Sequence, residues 1–300
     1  MGLKNSYTNF FTNKDGQKLY YETNYDPAKK LNSNDILIIF NNGLVCDSGH
    51  WGPQLTYFDS LGFNILTYYY RGHFESEGSN NIKQITFINL AHDIHDLIKY
   101  LGHSKNILMG HSMGVNVTLE YARLFPGDII AQVVISGTVI PPQDMMFDSN
   151  LFDLILPYVQ LIQNKFPDLY NIIWKNSYKN SIVQRIVLNG GFNTTNVPLE
   201  YVEHYLKRIG ELPPEIFMQL ITEMQSHDVI NDLHKIETPT LIIGGDNDKM
   251  IPNYFQTILK KFLKYSEIYI VKDGSHVPQI DFPIFVNNRI EYFLKKNTAL

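Results

Sequence analysis

The chain has 300 residues, 44% of them hydrophobic and 18% charged, with a formal net charge of −5. That balance suits a soluble globular protein with a sizeable core, and it excludes an electrostatic pull toward nucleic acid or an anionic membrane. No apolar run is long enough to span a bilayer, and the single cysteine, Cys46, excludes an internal disulfide framework or a multi-cysteine metal site.

The opening residues lack the charged-then-apolar pattern of a signal peptide, so a cytoplasmic protein is expected. Residues 1–6 (MGLKNS) do fit the short N-myristoylation pattern, which acts only in eukaryotes. Next come Tyr7–Thr12 and Lys18–Thr23, separated by the turn residues Asn13, Lys14, Asp15 and Gly16, which read as an antiparallel hairpin. Residues 36–40 (ILIIF), 63–68 (FNILTY), 106–109 (NILM), 129–135 (IIAQVVI), 240–243 (TLII) and 265–271 (YSEIYIV) are short apolar runs bounded by turn residues. Runs of this kind suit parallel strands covered by helices on both faces.

Helical patterns lie between the runs. Over 86–101, Phe87, Leu90, Ala91, Ile94, Leu97, Ile98 and Leu101 recur at three and four, with Thr86 placed to cap the start and Gly102 the end. His92 and His95 share the polar face of this segment with Asp93 and Asp96. A solvated face is expected there rather than a metal site built from His92 and Asp96. Residues 112–125, 252–262 and 283–295 are further helices, the last two with proline near the first turn. The strand–helix alternation breaks between about 138 and 234, where Pro141-Pro142, Gly190-Gly191 and Pro213-Pro214 punctuate helix-like segments. The expected architecture is α/β: a mostly parallel doubly wound sheet with an N-terminal antiparallel hairpin. Residues 1–137 and 235–300 would form the core, and 138–234 a helical cap inserted between two strands.

Gly110-His111-Ser112-Met113-Gly114 falls between a strand and a helix, the setting that gives a G-x-S-x-G turn its meaning. Such a turn exposes the serine hydroxyl above a helix N-terminus, whose dipole favours developing negative charge. A serine needs a base to take its proton. His276, in Gly274-Ser275-His276-Val277-Pro278, follows the last strand and precedes the final helix. His111 belongs to the turn and is expected to point elsewhere. A carboxylate must steady the imidazole. Asp246 and Asp248 both follow the strand at 240–243, and Asp248 is favoured because it lies later in the loop, with Asp246 bracing the turn. The order Ser112, Asp248, His276 is the one this arrangement requires. Oxyanion donors are expected from the backbone N–H of Met113 and, in the loop Asn41-Asn42-Gly43-Leu44-Val45, from that of Leu44. Cys46 is expected to be a bystander.

These segments together resemble the α/β-hydrolase superfamily, and most of all its capped esterase and lipase-like branch. The matching residues are 41–51 (NNGLVCDSGHW), Tyr70-Arg71-Gly72-His73 with Glu75-Ser76-Glu77-Gly78, the turn at 110–114, 245–248 with Pro252, and 274–278. Two positions depart from the pattern: Asn42-Gly43 stands where His-Gly is common, and Tyr69 where an aspartate often precedes the arginine. The resemblance implies hydrolysis of a carboxylic ester through an acyl-enzyme, with no metal or organic cofactor. The apolar run at 147–162 points to an apolar small-molecule ester. Carbon–carbon bond or amide hydrolysis and acyl transfer share the same three residues and stay open, as does a non-catalytic ligand-binding role. Oligomeric state is open too.

Overall fold

Continuous apolar runs become strands buried on both faces, and the turn-bounded N-terminal segments become a hairpin. The computed structural model describes residues 3, 6–78, 81–102, 105–140, 165–193 and 195–298. Its strands are β1 (Tyr7–Thr12), β2 (Lys18–Thr23), β3 (Ile36–Asn41), β4 (Asn64–Tyr68), β5 (Lys105–His111), β6 (Ile129–Ile135), β7 (Thr240–Gly245) and β8 (Ser266–Val271). They form one sheet in the order β1-β2-β4-β3-β5-β6-β7-β8. The β1–β2 and β2–β4 pairings are antiparallel, and all the others are parallel. The chain adopts the expected α/β class, hairpin included.

Alternate residues of one run go to opposite faces of the sheet. Leu37, Ile39, Leu66, Leu108 and Val134 join one apolar layer, while Ile38, Phe40, Ile65, Ile107 and Val133 join the other. Each fully buried Ile or Leu contributes roughly 1.5–3 kcal/mol relative to exposure. That reward on both faces is why these strands carry no polar alternation. The helices are α1 (Gly52–Ser60), α2 (Phe87–Leu101), α3 (Met113–Leu124), α4 (Pro167–Lys175), α5 (Ser181–Gly191), α6 (Leu199–Glu211), α7 (Pro214–Ser226), α8 (Asn253–Phe262), α9 (Pro278–Asp281) and α10 (Pro283–Asn297). Thr86 caps α2 through its side chain, and Gly102 closes it at φ 80°. Helices α2 and α3 pack on the first layer; Leu55 and Phe58 of α1 and Val286, Ile290 and Phe293 of α10 pack on the second.

The polar face of α2 differs from expectation. His92 is exposed, but Asp93 and His95 are buried. The hairpin and the turn after β4 cover that face. The Asp93 carboxylate accepts Nε and an NH2 group of Arg71 at 2.7 and 2.6 Å and Nδ2 of Asn13 at 2.5 Å. The His95 ring stacks on Phe125 with centroids 3.8 Å apart. Asp96 pairs with Lys14 at 2.6 Å.

Between β6 and β7 the described residues form α4 to α7 and no strand. Tyr201, Val202 and Leu206 of α6 pack with Val277 and Ile280, and Ile216 and Leu220 of α7 join the main core. The apolar run at 147–162 lies outside the described residues. β3 sits between β4 and β5, so the chain winds to one side of β3 and then to the other. Open α/β sheets form their ligand crevice at the carboxyl ends of strands beside such a reversal.

Candidate active site

Two of the loops that matter leave β3 and β5 at that crevice. Between β5 and α3 the backbone of Ser112 takes φ 53° and ψ −121°, a region that costs a non-glycine residue about 1–3 kcal/mol. The strain is held in place by packing. A Cβ at position 114 would stand 2.2 Å from the Asn41 carbonyl oxygen, and one at 110 would stand 2.4 Å from the Gly114 oxygen. The turn closes only with glycine at both places. The Ser112 N–H donates to Ile135 of β6 at 2.9 Å, so the serine is tied to the neighbouring strand.

The structure brings Ser112, His276 and Asp248 together. His276 Nε2 lies 3.0 Å from Ser112 Oγ, and Nδ1 lies 3.0 and 3.2 Å from the two oxygens of Asp248. A carboxylate only accepts, so Nδ1 carries the proton and Nε2 presents its lone pair to the serine hydroxyl. Asp248 is buried, and its Oδ1 also accepts the N–H groups of Met250 and Ile251 at 2.9 and 2.8 Å. Asp246 is exposed, and its N–H donates to Val271 at 3.0 Å. Gly245 lets the two loops meet: a Cβ there would lie 2.3 Å from the carbonyl oxygens of Gly274 and Ser275.

Two further residues hold the histidine loop, and only one of them carries a sequence signal. His111 does not point away from the site. It is buried, its Nε2 bonds the His276 carbonyl oxygen at 2.9 Å, and the two rings sit 5.0 Å apart. Burial and the neighbouring His276 ring hold His111 well below the ordinary histidine range, so it stays neutral. Its place inside the G-x-S-x-G turn was the available clue. Asp281, in α9, accepts the Ser275 N–H. Burial pushes its carboxyl up to about 6 from an ordinary 3.8, with the nearby Asp248 adding to the rise. No local pattern marked it.

Above Ser112 lies a cavity of about 110 Å³. His276, His111 and Gly43 line it with the apolar residues Leu44, Val187, Phe192, Ile209, Phe217, Met224, Met250 and Val277. Leu44 therefore stands in the wall next to Ser112, and Met113 opens α3, where helix geometry leaves its N–H without an intrahelical acceptor. The loop after β3 is anchored although it lacks His-Gly. Asn42 Nδ2 donates to Tyr68 at 3.1 Å, Tyr70 Oη donates to the Asn42 carbonyl at 2.9 Å, and Asn41 bonds both Tyr68 and Thr118 at 2.7 Å. Cys46 also lines the cavity, and burial pushes its thiol well above the ordinary range. It is the inert form of a thiol.

A second polar cluster flanks this cavity. The buried Asp47 accepts the Gly49 N–H at 2.9 Å, His204 Nε2 at 2.8 Å and Arg208 Nε at 2.5 Å. His204, the neighbouring His50 and Arg208 hold its carboxyl far below the ordinary range despite burial. Asp47, His50 and His204 present ligand atoms within 4.8 Å of one another, a spacing that could hold a metal ion. A cation there would face the Arg208 guanidinium already bonded to the same carboxylate. Among the described residues no other trio is so arranged.

The family model for the alpha/beta hydrolase fold matches residues 36–283. The chain is 26% identical over 279 residues to a bifunctional esterase/perhydrolase, DCH, of Acinetobacter calcoaceticus, covering 91% of this chain and 92% of that one. It is 26% identical over 257 residues to epoxide hydrolase 4 of Mus musculus, covering 83% of this chain and 70% of that protein. In three dimensions it is similar to a hydrolase from Pseudomonas aeruginosa PA01, with a TM-score of 0.75 and 19% identity over 96% of this chain and 98% of that one.

Proposed function

Because this chain belongs to the alpha/beta hydrolase fold family, we propose that it is a serine hydrolase of carboxylic esters. Ser112 is the nucleophile, His276 the general base and Asp248 the carboxylate that steadies it. The observation that carries the reading is the unbroken contact Asp248–His276–Ser112, at 3.0 Å on each side of the imidazole.

As Ser112 Oγ attacks an ester carbonyl carbon, His276 Nε2 takes the hydroxyl proton, and Asp248 stabilises the imidazolium that forms. The tetrahedral oxyanion rests on the N–H groups of Leu44 and Met113; such a donor is typically worth about 2.7–4 kcal/mol. When the carbon–oxygen bond to the alcohol breaks, His276 returns the proton to the leaving oxygen. Water then attacks the acyl-serine by the same route, releasing the acid and restoring Ser112. The residues that do this are all on the chain, and no step calls for a cofactor. A serine in the elbow favours esters over epoxides, because opening an epoxide through a covalent ester intermediate needs a carboxylate there.

The segment 138–234, whose described residues are mainly helical, acts as a cap over the core formed by 1–137 and 235–300. Val187 of α5, Tyr205 and Ile209 of α6, and Phe217 and Met224 of α7 reach the cavity from above. Their apolar character supports a small apolar ester as substrate. No helix of the described residues is long and apolar enough to cross a membrane, and a lone buried cysteine fits a reducing cytoplasm.

The test is paired. The wild type should turn over short p-nitrophenyl alkyl esters and be labelled by a fluorophosphonate. Ser112→Ala should lose the label and roughly 10⁶ in kcat. A folded wild type that neither labels nor hydrolyses any ester refutes the proposal and leaves a ligand-binding role.

A further inference from the structure

The reaction above leaves His50 and the Tyr205 hydroxyl in the cavity wall unused. His50 sits in a 3₁₀ turn over Ser48–Trp51 and lines the same cavity as Ser112 and His276. It is only 2% exposed, yet neither ring nitrogen has a hydrogen-bond partner among the described residues. A buried polar group left without a partner is costly and uncommon in native proteins. The ring is nevertheless held. Tyr205 packs edge-on at 5.5 Å, and His204 lies 5.7 Å away.

The ring orientation says which chemistry the free nitrogen offers. His50 Nδ1 faces Asp47 Oδ1 at 3.6 Å. That carboxylate is itself fixed by Gly49, His204 and Arg208. A carboxylate on the Nδ1 side favours the proton there, leaving Nε2 as a bare acceptor. The surrounding wall is Leu44, Tyr205, Ile209, Phe217 and Met224. The cavity thus combines a mostly apolar lining, which also carries the Tyr205 hydroxyl, with a buried acceptor that a donor entering the cavity would satisfy.

Building on the esterase reading, we propose that His50 Nε2 accepts a hydrogen bond from a hydroxyl group on the substrate, and that the preferred substrates are esters of hydroxy-substituted acids. His50 is a specificity residue here and takes no part in the proton transfers at Ser112. Asp47 is its positioning residue. A site built around such an acceptor discriminates against ligands that cannot satisfy it.

The experiment compares p-nitrophenyl esters of 3-, 5- and 6-hydroxyalkanoic acids with their methyl ethers and with the plain alkyl esters. Each ether matches the electron withdrawal and approximate bulk of its alcohol but has no proton to donate. In the wild type, at least one hydroxy ester should exceed its ether in kcat/KM by roughly tenfold, the worth of one net hydrogen bond. In His50→Phe that ratio should fall to within about twofold. In His50→Gln, which keeps an acceptor oxygen, part of the preference should return. The melting transition of each variant establishes that it is folded, and if the Phe variant is not, His50→Leu replaces it. A wild type without hydroxyl preference at any position, or a preference that survives in the folded Phe or Leu variant, overturns the inference. Turnover of the plain alkyl esters and Ser112-dependent labelling judge the esterase reading separately. If both are absent, the two proposals fall together.

Discussion

Asp281 is the residue whose replacement tests the electrostatics of the histidine loop most directly. Its carboxyl is 7% exposed, accepts the Ser275 N–H, and is pushed by burial up to about 6. In the unfolded chain it titrates near its ordinary 3.8. Between those values the folded protein holds a proton that the unfolded chain releases, so this group makes stability fall as pH rises from about 4 to about 6. A gap of about 2 pH units at about 1.36 kcal/mol each amounts to about 3 kcal/mol lost by pH 7. The substitution Asp281→Asn would keep an acceptor for the Ser275 N–H on a side chain that never ionises. It would also place an amide NH2 where Asp281 Oδ1 has no partner among the described residues, a cost that does not change with pH. Chemical denaturation of wild type and Asp281→Asn at pH 4 and pH 7.5 separates the two effects. The variant should gain about 2.4 kcal/mol on the wild type between the two pH values, whatever the offset at pH 4, because roughly 0.5 kcal/mol of the loss has already occurred by pH 4. Stability–pH curves that run parallel would refute the placement of a buried, proton-holding carboxyl beneath His276.

Three further outcomes follow from the geometry. Asp248→Asn should lower kcat by roughly 10⁴, because an amide cannot hold Nδ1 as a carboxylate does. Asp246→Asn, at an exposed position, should leave kcat within about twofold; steady-state kinetics on a p-nitrophenyl ester would read both, and equal losses would contradict the assignment. Gly114→Ala should cost about 3 kcal/mol or more, since its Cβ would stand 2.2 Å from a backbone oxygen that cannot swing aside. An unchanged denaturation midpoint would show that the elbow is looser than described.

Much of this molecule could be read from local pattern because the forces involved are local or periodic. Runs such as 129–135 announce a strand covered on both faces, and that strand has those bounds. Thr86 and Gly102 mark the two ends of α2 because unsatisfied helix termini demand them. The elbow glycines and the loops after β7 and β8 were legible for a similar reason: close backbone approach leaves few residue choices. What stayed hidden depends on neighbours distant in sequence. Asp93 looked like a solvated acid until the hairpin and Arg71 closed over it. Helix α1 has only Leu55 and Phe58 as buried large apolar residues, too few for a periodic signal. The environments of His50 and Asp281 arise from contacts with α6 and with the loop before α9, which no spacing rule encodes.

The place where the helical excursion joins the sheet has a consequence for how such a protein can change. β6 and β7 are adjacent parallel strands, with Gln132 opposite Thr240, so the intervening hundred or so residues depart and rejoin at neighbouring points on the scaffold. Lengthening a closed loop costs only about 0.6 kcal/mol per doubling. A different excursion could therefore be grafted between those two strands with little entropic penalty. Ser112, Asp248 and His276 stay where strands β5, β7 and β8 deliver them, while the shape, size and polarity of the chamber above are rewritten independently.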